Sequence, residues 1–373
     1  MAAGQARTAP ARPAAFRDPG LAAAQVAEIR RLARRPLRFM EVCGTHTVSI
    51  FRHGLRELLP PEVELISGPG CPVCVTDQAD IDALVDLAGR PGVRLATFGD
   101  LVRVPGGGGS LAEARARGAR VEVVYSPMDA LALAEARPHE TVVFAGVGFE
   151  TTAPAVAATV IEADRRGLAN FALWSAHKVM PPALRALLAD PGLRLDGLLC
   201  PGHVSTIVGA GAWRGLAADF GIPCVVAGFE PLDVLEAIRR LVLQAVEGRA
   251  EADNAYPRAV TEAGNPRALA VMAKVFVPVA ARWRGLGEIP ASGLALAPAW
   301  RALDAAARFD LDVRPAPDPP GCRCGDVLRG RARPPECPHF GRRCTPARPV
   351  GPCMVSSEGA CSAWYRFGAE GAR

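Results

Sequence analysis

The sequence predicts an α/β protein: two Rossmann-like lobes with parallel sheets flanked by helices, then a mainly helical or irregular C-terminal segment organised by cysteines. Three observations predict it. Short apolar runs alternate with longer amphipathic ones from about residue 37 to about residue 246. The apolar runs are near-continuous, as in strands buried on both faces and covered by helices. Beyond the run Pro315 to Pro320 such stretches stop, and Cys322, Cys324, Cys337, Cys344, Cys353 and Cys361 follow between Gly, Pro and Arg.

In chain order, 37–42 reads as a strand and 47–59 as a helix whose Ile50, Phe51, Leu55, Leu58 and Leu59 share one face. Further strands are expected at 62–66, 93–98, 121–125, 141–147, 171–175, 195–199 and 222–227, with helices at 80–88, 153–165, 182–188 and 233–246. Gly148-Phe149-Glu150 and Gly228-Phe229-Glu230 both follow apolar strands, a faint echo that favours two lobes over one sheet. After Gly248, 265–279 looks helical and 283–290 irregular. The expected division is a loose tail over 1–16, a first α/β domain over 17–125, a second over 126–245 and a C-terminal domain over 246–373.

Composition narrows the function. The formal net charge is only +5 and the arginines are scattered among acids, so there is no basic stripe for nucleic acid. No run of 18 apolar residues offers a membrane span. The stretch Met1 to Gly20 is rich in Ala, Arg and Pro and lacks the apolar core of a secretory signal. The expected location is therefore the cytoplasm, where clustered thiols serve as metal ligands or redox pairs more often than as structural disulfides.

Chemistry is expected at the carboxyl ends of parallel strands. There the chain carries Cys43-Gly44-Thr45-His46-Thr47, Gly68-Pro69-Gly70-Cys71-Pro72-Val73-Cys74, Ala176-His177-Lys178 and Cys200-Pro201-Gly202-His203. Cys43 falls just before a helix, whose free N–H groups favour a thiolate. The plain alternative is a small buried Cys beside a capping Thr. Cys71 and Cys74 form a dithiol or half of a metal site, and with Cys43 and His46 they could complete a zinc site. Glu150, Glu230, His177 and His203 each have an ordinary structural reading, and Cys224 reads as core. No Walker loop or Gly-x-Gly-x-x-Gly follows a strand, and Gly106 to Gly109 reads as a flexible loop. In the C-terminal cluster, the gaps after Cys324 are 12, 6, 8 and 7 residues. Zinc usually shows two compact Cys-x2–4-Cys knuckles, so such long gaps favour a cubane iron–sulfur cluster, with two thiols left over.

Several stretches together carry a family resemblance. They are Cys43 to Thr47, Gly68 to Cys74, Thr97 to Pro105, Gly148 to Pro154, Cys200 to Ser205, Gly228 to Pro231, Glu336 to Gly341 and Gly351 to Cys361. In these the chain resembles the HypD family of [NiFe]-hydrogenase maturation proteins, over nearly its whole length. The resemblance implies a [4Fe–4S] cluster on Cys322, Cys337, Cys344 and Cys361, which stand in the pattern C-x14-C-x6-C-x16-C. It makes Cys324 and Cys353 a redox-active pair, an arrangement similar to ferredoxin:thioredoxin reductase.

The function implied is a redox-active scaffold for assembling the Fe(CN)2CO group of [NiFe] hydrogenases, not a turnover enzyme on a free small substrate. Its implied partners are a HypC-type small chaperone and a HypE-type cyanide donor, with the hydrogenase large subunit reached through the chaperone. The iron, carrying CO and cyanide, would lie between a chaperone Cys and Cys43, with Cys71 and Cys74 beside it and His46 behind. A relay from cluster to Cys324/Cys353 to Cys71/Cys74 would supply the two electrons of cyanide delivery. The alternative is an iron–sulfur thiol–disulfide oxidoreductase acting on a protein disulfide, and a third reading is a zinc-stabilised interaction module. The sequence assigns no role to Cys200, His203, Glu150 or Glu230.

Overall fold

The computed structural model describes residues 16–311, 313 and 315–368. The expected tail therefore lies, but for Phe16, outside the described residues. Eleven strands form three sheets. In chain order they are β1 Leu37–Glu41, β2 Val63–Ser67, β3 Val93–Thr97, β4 Val121–Val123, β5 Thr141–Gly146, β6 Phe171–Ser175, β7 Gly197–Cys200, β8 Cys224–Val226, β9 Ala252–Asn254, β10 Phe276–Trp283 and β11 Gly287–Leu296. The first sheet runs β2-β1-β7-β8-β9 and the second β4-β3-β5-β6, both parallel throughout. The two-lobed parallel α/β reading is thus the observed fold, with a C-terminal region of short helices and irregular chain.

The lobes do not follow the chain in the expected order. The first sheet is built from both ends of the α/β region: β1 pairs with β2 on one edge and with β7 on the other, Phe39 opposite Gly197. The second sheet, β3 to β6, is inserted between them. Breaks near 125 and 245 therefore do not divide the strands as the sheets do. Local apolar runs specify strands; which strands pair is settled by long-range packing.

Each sheet is covered on both faces. Helices Pro19–Leu32 and Pro231–Glu247 pack together over the first sheet, burying Ile29, Leu235, Ile238 and Leu241 against Leu37, Phe39 and Leu199. Its other face, Met40, Ile66, Leu198 and Cys200, meets a cluster that includes Cys71, Cys74, Cys324, Cys353 and Cys361. At about 25 cal/mol per Å² of apolar surface, each fully buried Leu or Ile contributes roughly 1.5–3 kcal/mol.

Two elements differ from expectation. The helix expected over 47–59 is two, Gly44–Arg52 and Leu55–Leu58, because Gly54 adopts a left-handed φ of 60° and breaks the hydrogen-bond ladder. The helix expected over 265–279 stops at Val275, and Phe276 begins an antiparallel hairpin with β11. Alternating β-branched residues, Val277 and Val279, suit a strand once a partner is available. The expected loop Gly106 to Gly109 is a closed turn, with Gly106 N–H donating to Gly109 O at 3.0 Å and Gly107 N–H to Asp82 at 2.6 Å.

The hairpin ties the lobes together. Arg284 N–H donates to Val75 O at 2.9 Å, and Leu294 N–H to His177 O at 3.2 Å. Arg284, 1% exposed, fans its guanidinium onto Thr76 O, Gln78 and Asp318. At the hairpin turn Gly285, φ 78°, lies so close to Gly325 that a Cβ there would stand 2.4 Å from its Cα. That contact seats the turn against the chain immediately after Cys324.

Candidate functional site

Cys43 ends β1 and caps helix Gly44–Arg52. Its position depends on contact with the Gly68–Cys71 loop. Gly44 N–H donates to Gly70 O at 3.0 Å, and a Cβ on Gly70 would stand 2.3 Å from the Cys43 nitrogen. Only glycine lets the two loops touch. Cys71 in turn caps the short helix Pro72–Val75, its sulfur accepting from Cys74 N–H at 3.3 Å, and the two sulfurs are 2.7 Å apart.

The C-terminal segment closes over these loops. Cys353 lies on helix Pro352–Val355, its sulfur 2.6 Å from that of Cys324, and it packs in the same buried cluster as Cys74 and Cys361. Two close sulfur pairs, Cys71–Cys74 and Cys324–Cys353, are therefore buried together in one cluster. Residues outside the cysteines hold it. Ser356 Oγ and Ser357 N–H donate to Asp100, each at 3.2 Å, Arg103 donates to Val355 O at 3.3 Å, and Thr45 donates to Glu358 at 2.6 Å. Gly359 packs so tightly that a Cβ would stand 2.1 Å from Cys353 O. Sequence reasoning had passed over Glu358, Asp100 and Arg103, although all three lie inside the motif stretches.

Electrostatics separate the thiols. Burial pushes Cys43 up to about 12, and the nearby charge of Glu358 adds to it; the N–H groups of His46 and Thr45 pull the other way but lose. The helix terminus was expected to favour a thiolate, but at this depth desolvation exceeds the helix-end effect. Burial also opposes ionisation of Cys74, yet the neighbouring Cys353 and Cys71 outweigh it and hold this thiol below its usual value. Cys71, buried and with the Cys74 sulfur 2.7 Å away, is held well above.

His46 is fully buried on helix Gly44–Arg52, its Nε2 3.0 Å from Gly228 O and 3.2 Å from Ala227 O. Burial lowers it to about 4, so it is neutral and donates from Nε2, leaving Nδ1 without a partner among the described residues. Phe229 stacks between His46 and His203, at 4.9 and 3.9 Å between centroids. This accounts for the motifs around 203 and 229: they form the wall behind helix Gly44–Arg52. Glu230 caps helix Pro231–Glu247 and pairs with Arg17, while Glu150 accepts from Met180 N–H at 2.9 Å. Cys224 is core, as expected, and Cys200 on the neighbouring strand is buried in the same cluster.

The four remaining cysteines, Cys322, Cys337, Cys344 and Cys361, ring a small cavity with Cys324, Cys353, Phe340, Gly351 and Met354. A Cβ on Gly351 would stand 2.7 Å from the Cys322 sulfur. Among the described residues no three His, Cys, Asp or Glu side chains converge as ligands of one ion. The donor set nevertheless suits a multi-iron cluster: soft sulfur ligands only, no charged side chain in the lining, and thiols spread around a cavity rather than gathered on a point.

Two parallel α/β lobes closed by a cysteine-rich segment over a buried cluster of thiols define a class of thiol-centred α/β proteins. Comparison with known proteins specifies which. The family model HypD, described as "Hydrogenase formation hypA family", matches residues 21–368. The chain is 48% identical over 365 residues to Hydrogenase maturation factor HypD of Rhodobacter capsulatus, covering 95% of this chain and 97% of that protein. It is 50% identical over 340 residues to Hydrogenase maturation factor HypD of Escherichia coli (strain K12), covering 90% of each, and 47% identical over 362 residues to that of Azotobacter vinelandii, covering 95% and 96%. The chain belongs to the HypD family of hydrogenase maturation factors. Among the described residues no helix is long and apolar enough to cross a membrane.

Proposed function

We propose that this chain is the redox scaffold on which the Fe(CN)2CO group of a [NiFe] hydrogenase is assembled, with a HypC-type chaperone holding the iron jointly and a HypE-type protein donating cyanide. The observation that carries the reading is the two sulfur pairs, Cys71–Cys74 and Cys324–Cys353, buried together, with the Cys71 loop packed against Cys43. Cys43, with Cys71 and Cys74 adjacent, is the thiol site for the iron being assembled; low-spin Fe(II) bearing CO and cyanide takes soft thiolate donors. With its pKa near 12, Cys43 gives up its proton only on binding the metal, so the free protein carries no standing buried charge there.

Cys322, Cys337, Cys344 and Cys361 would hold a [4Fe–4S] cluster, which when bound supplies single electrons. The chain's own thiols supply the two-electron step. With Cys71 and Cys74 as a disulfide, the Cys353 sulfur, deprotonated, attacks Cys74 and Cys71 leaves as a thiolate. Cys324 then attacks Cys353 and releases Cys74. One disulfide is reduced, Cys324–Cys353 is oxidised, and two electrons and two protons have moved. In this second step Cys74 is a good leaving group because its thiolate is the stabilised one. His46, neutral and fixed by two carbonyls, orients the first turn of the Cys43 helix.

Anaerobic co-purification with the small chaperone, followed by infrared and Mössbauer spectroscopy, tests the assignment. CN and CO stretches are expected in the wild-type complex and lost in Cys43→Ala; unchanged bands in the variant remove Cys43 from the iron site.

A further inference from the structure

A second cavity, of about 290 Å³, opens where the edge strand β2 meets the segment before Cys337, and no cysteine lines it. Arg38, Arg56, Arg331 and Arg333 line it with two carboxylates, Glu64 and Glu336, and with Asp190 on Arg331 counted one positive charge is in surplus. Arg331 and Arg333 are already bridged, to Asp190 at 2.5 Å and Glu336 at 3.1 Å.

Arg38 and Arg56 are not fully satisfied. Arg56 gives one N–H to Leu65 O at 2.6 Å and is held over the rings of Phe51 and Trp364, 4.7 and 5.2 Å from their centroids. Arg38 gives one N–H to Gly330 O at 3.1 Å. The Nε–H of each is buried and has no hydrogen-bond acceptor among the described residues. Glu64 lies 3.1 Å from Arg38 Nε but out of line with its N–H, and its side chain is 51% exposed. Buried N–H groups are nearly always matched. Two unmatched guanidinium donors on one positively charged cavity call for an anionic acceptor, and a guanidinium fork fits a tetrahedral oxyanion with two parallel bonds.

We propose that this cavity binds a phosphate group, free or carried on a small ester, through Arg38 and Arg56. The volume exceeds a bare phosphate and leaves room for an organic group beside Trp364. The bound group joins β2, which leads into the Gly68–Cys71 loop, to the segment between Cys324 and Cys337.

The full chain, purified anaerobically, is titrated by calorimetry with inorganic phosphate and with glycerol 3-phosphate, against chloride at matched ionic strength. Saturable binding of either phosphate compound is expected, weakened tenfold or more by Arg38→Gln and by Arg56→Lys and unchanged in Arg165→Gln, on a distant exposed helix. Equal affinities identify the free anion as sufficient; a tighter ester identifies an organic group in the cavity. Arg38, 36% exposed, can be replaced without opening the core, so Arg38→Gln keeps the test valid if Arg56→Lys unfolds. No saturable binding by wild type, or undiminished binding by folded Arg38→Gln, overturns the proposal.

Discussion

Cys353 and Cys74 share one buried cluster, which joins two cysteine motifs from opposite ends of the chain. In this cluster the Cys74 thiol is held below its usual value and the Cys353 thiol well above it. Replacing Cys353 by Ala is expected to raise the Cys74 pKa and so to leave less thiolate near neutrality. The pH dependence of alkylation at Cys74, followed by peptide mass spectrometry, measures it. In the Cys71→Ala/Cys324→Ala variant, mild oxidation is expected to link Cys74 to Cys353. Cyanide attachment at full rate in Cys353→Ser would remove the exchange step from the mechanism.

Gly70 is the contact point between the Cys43 and Cys71 loops. Gly70→Ala is expected to destabilise the fold by about 1–3 kcal/mol, because the new methyl meets backbone rather than a flexible side chain. Urea denaturation gives the loss, and the infrared bands of the chaperone complex should weaken with it. Gly108→Ala, where a Cβ meets nothing within 4 Å, is the control.

Glu150 supplies a pH signature. Burial raises its carboxyl from 4.5 to about 7, and Oε2 has no partner among the described residues. Between those values the folded chain binds more protons than the unfolded one, so this contribution to stability is full below the unfolded value and lost as pH rises through the folded one. The loss is about 3 kcal/mol at most. Glu150→Gln, which cannot ionise, should gain melting temperature over wild type as pH rises from about 4.5 to about 7. Parallel melting curves for the two proteins would place the charge elsewhere.

Arg284 fixes the hairpin turn to residues 75–78 and to Asp318 from a fully buried position. Arg284→Met is expected to cost about 3 kcal/mol, since Gln78 and Thr76 O lose their donor inside the protein and Asp318 loses its counter-charge. Denaturation of Arg284→Met beside Asp318→Asn separates the parts: Asp318 is 41% exposed and its loss should be much the smaller.

The cysteine-ringed segment has little core of its own; its private cluster is Val327, Ala332 and Ala360. Cys337→Ser is therefore expected to lose bound iron and sulfide and to make the chain between 315 and 352 more sensitive to limited proteolysis. Equal digestion of the variant and wild type would show that packing on the lobes suffices.

The local elements were legible because their signals are local. Near-continuous apolar runs gave β1, β3, β5 and β6 within a residue or two, and the helix expected over 153–165 is observed as Ala153–Arg165. Strand Phe276–Trp283 was not, because a strand is stabilised by its partner, and the partner lies beyond a turn at Gly285. The nature of the donors could also be read: thiols at strand ends and in a segment unable to bury itself.

What the sequence by itself determined is the class of fold, the family and the sulfur ligands available, since each resides in residue type and spacing. The tertiary structure alone decided that the second sheet is inserted into the first, that Cys353 and Cys74 share one cluster, that Cys43 holds its proton and that His46 is neutral. Those outcomes depend on which distant segments meet and how completely they exclude water. Strand pairing is non-local, and desolvation of a thiol or imidazole is a property of the whole packed surroundings.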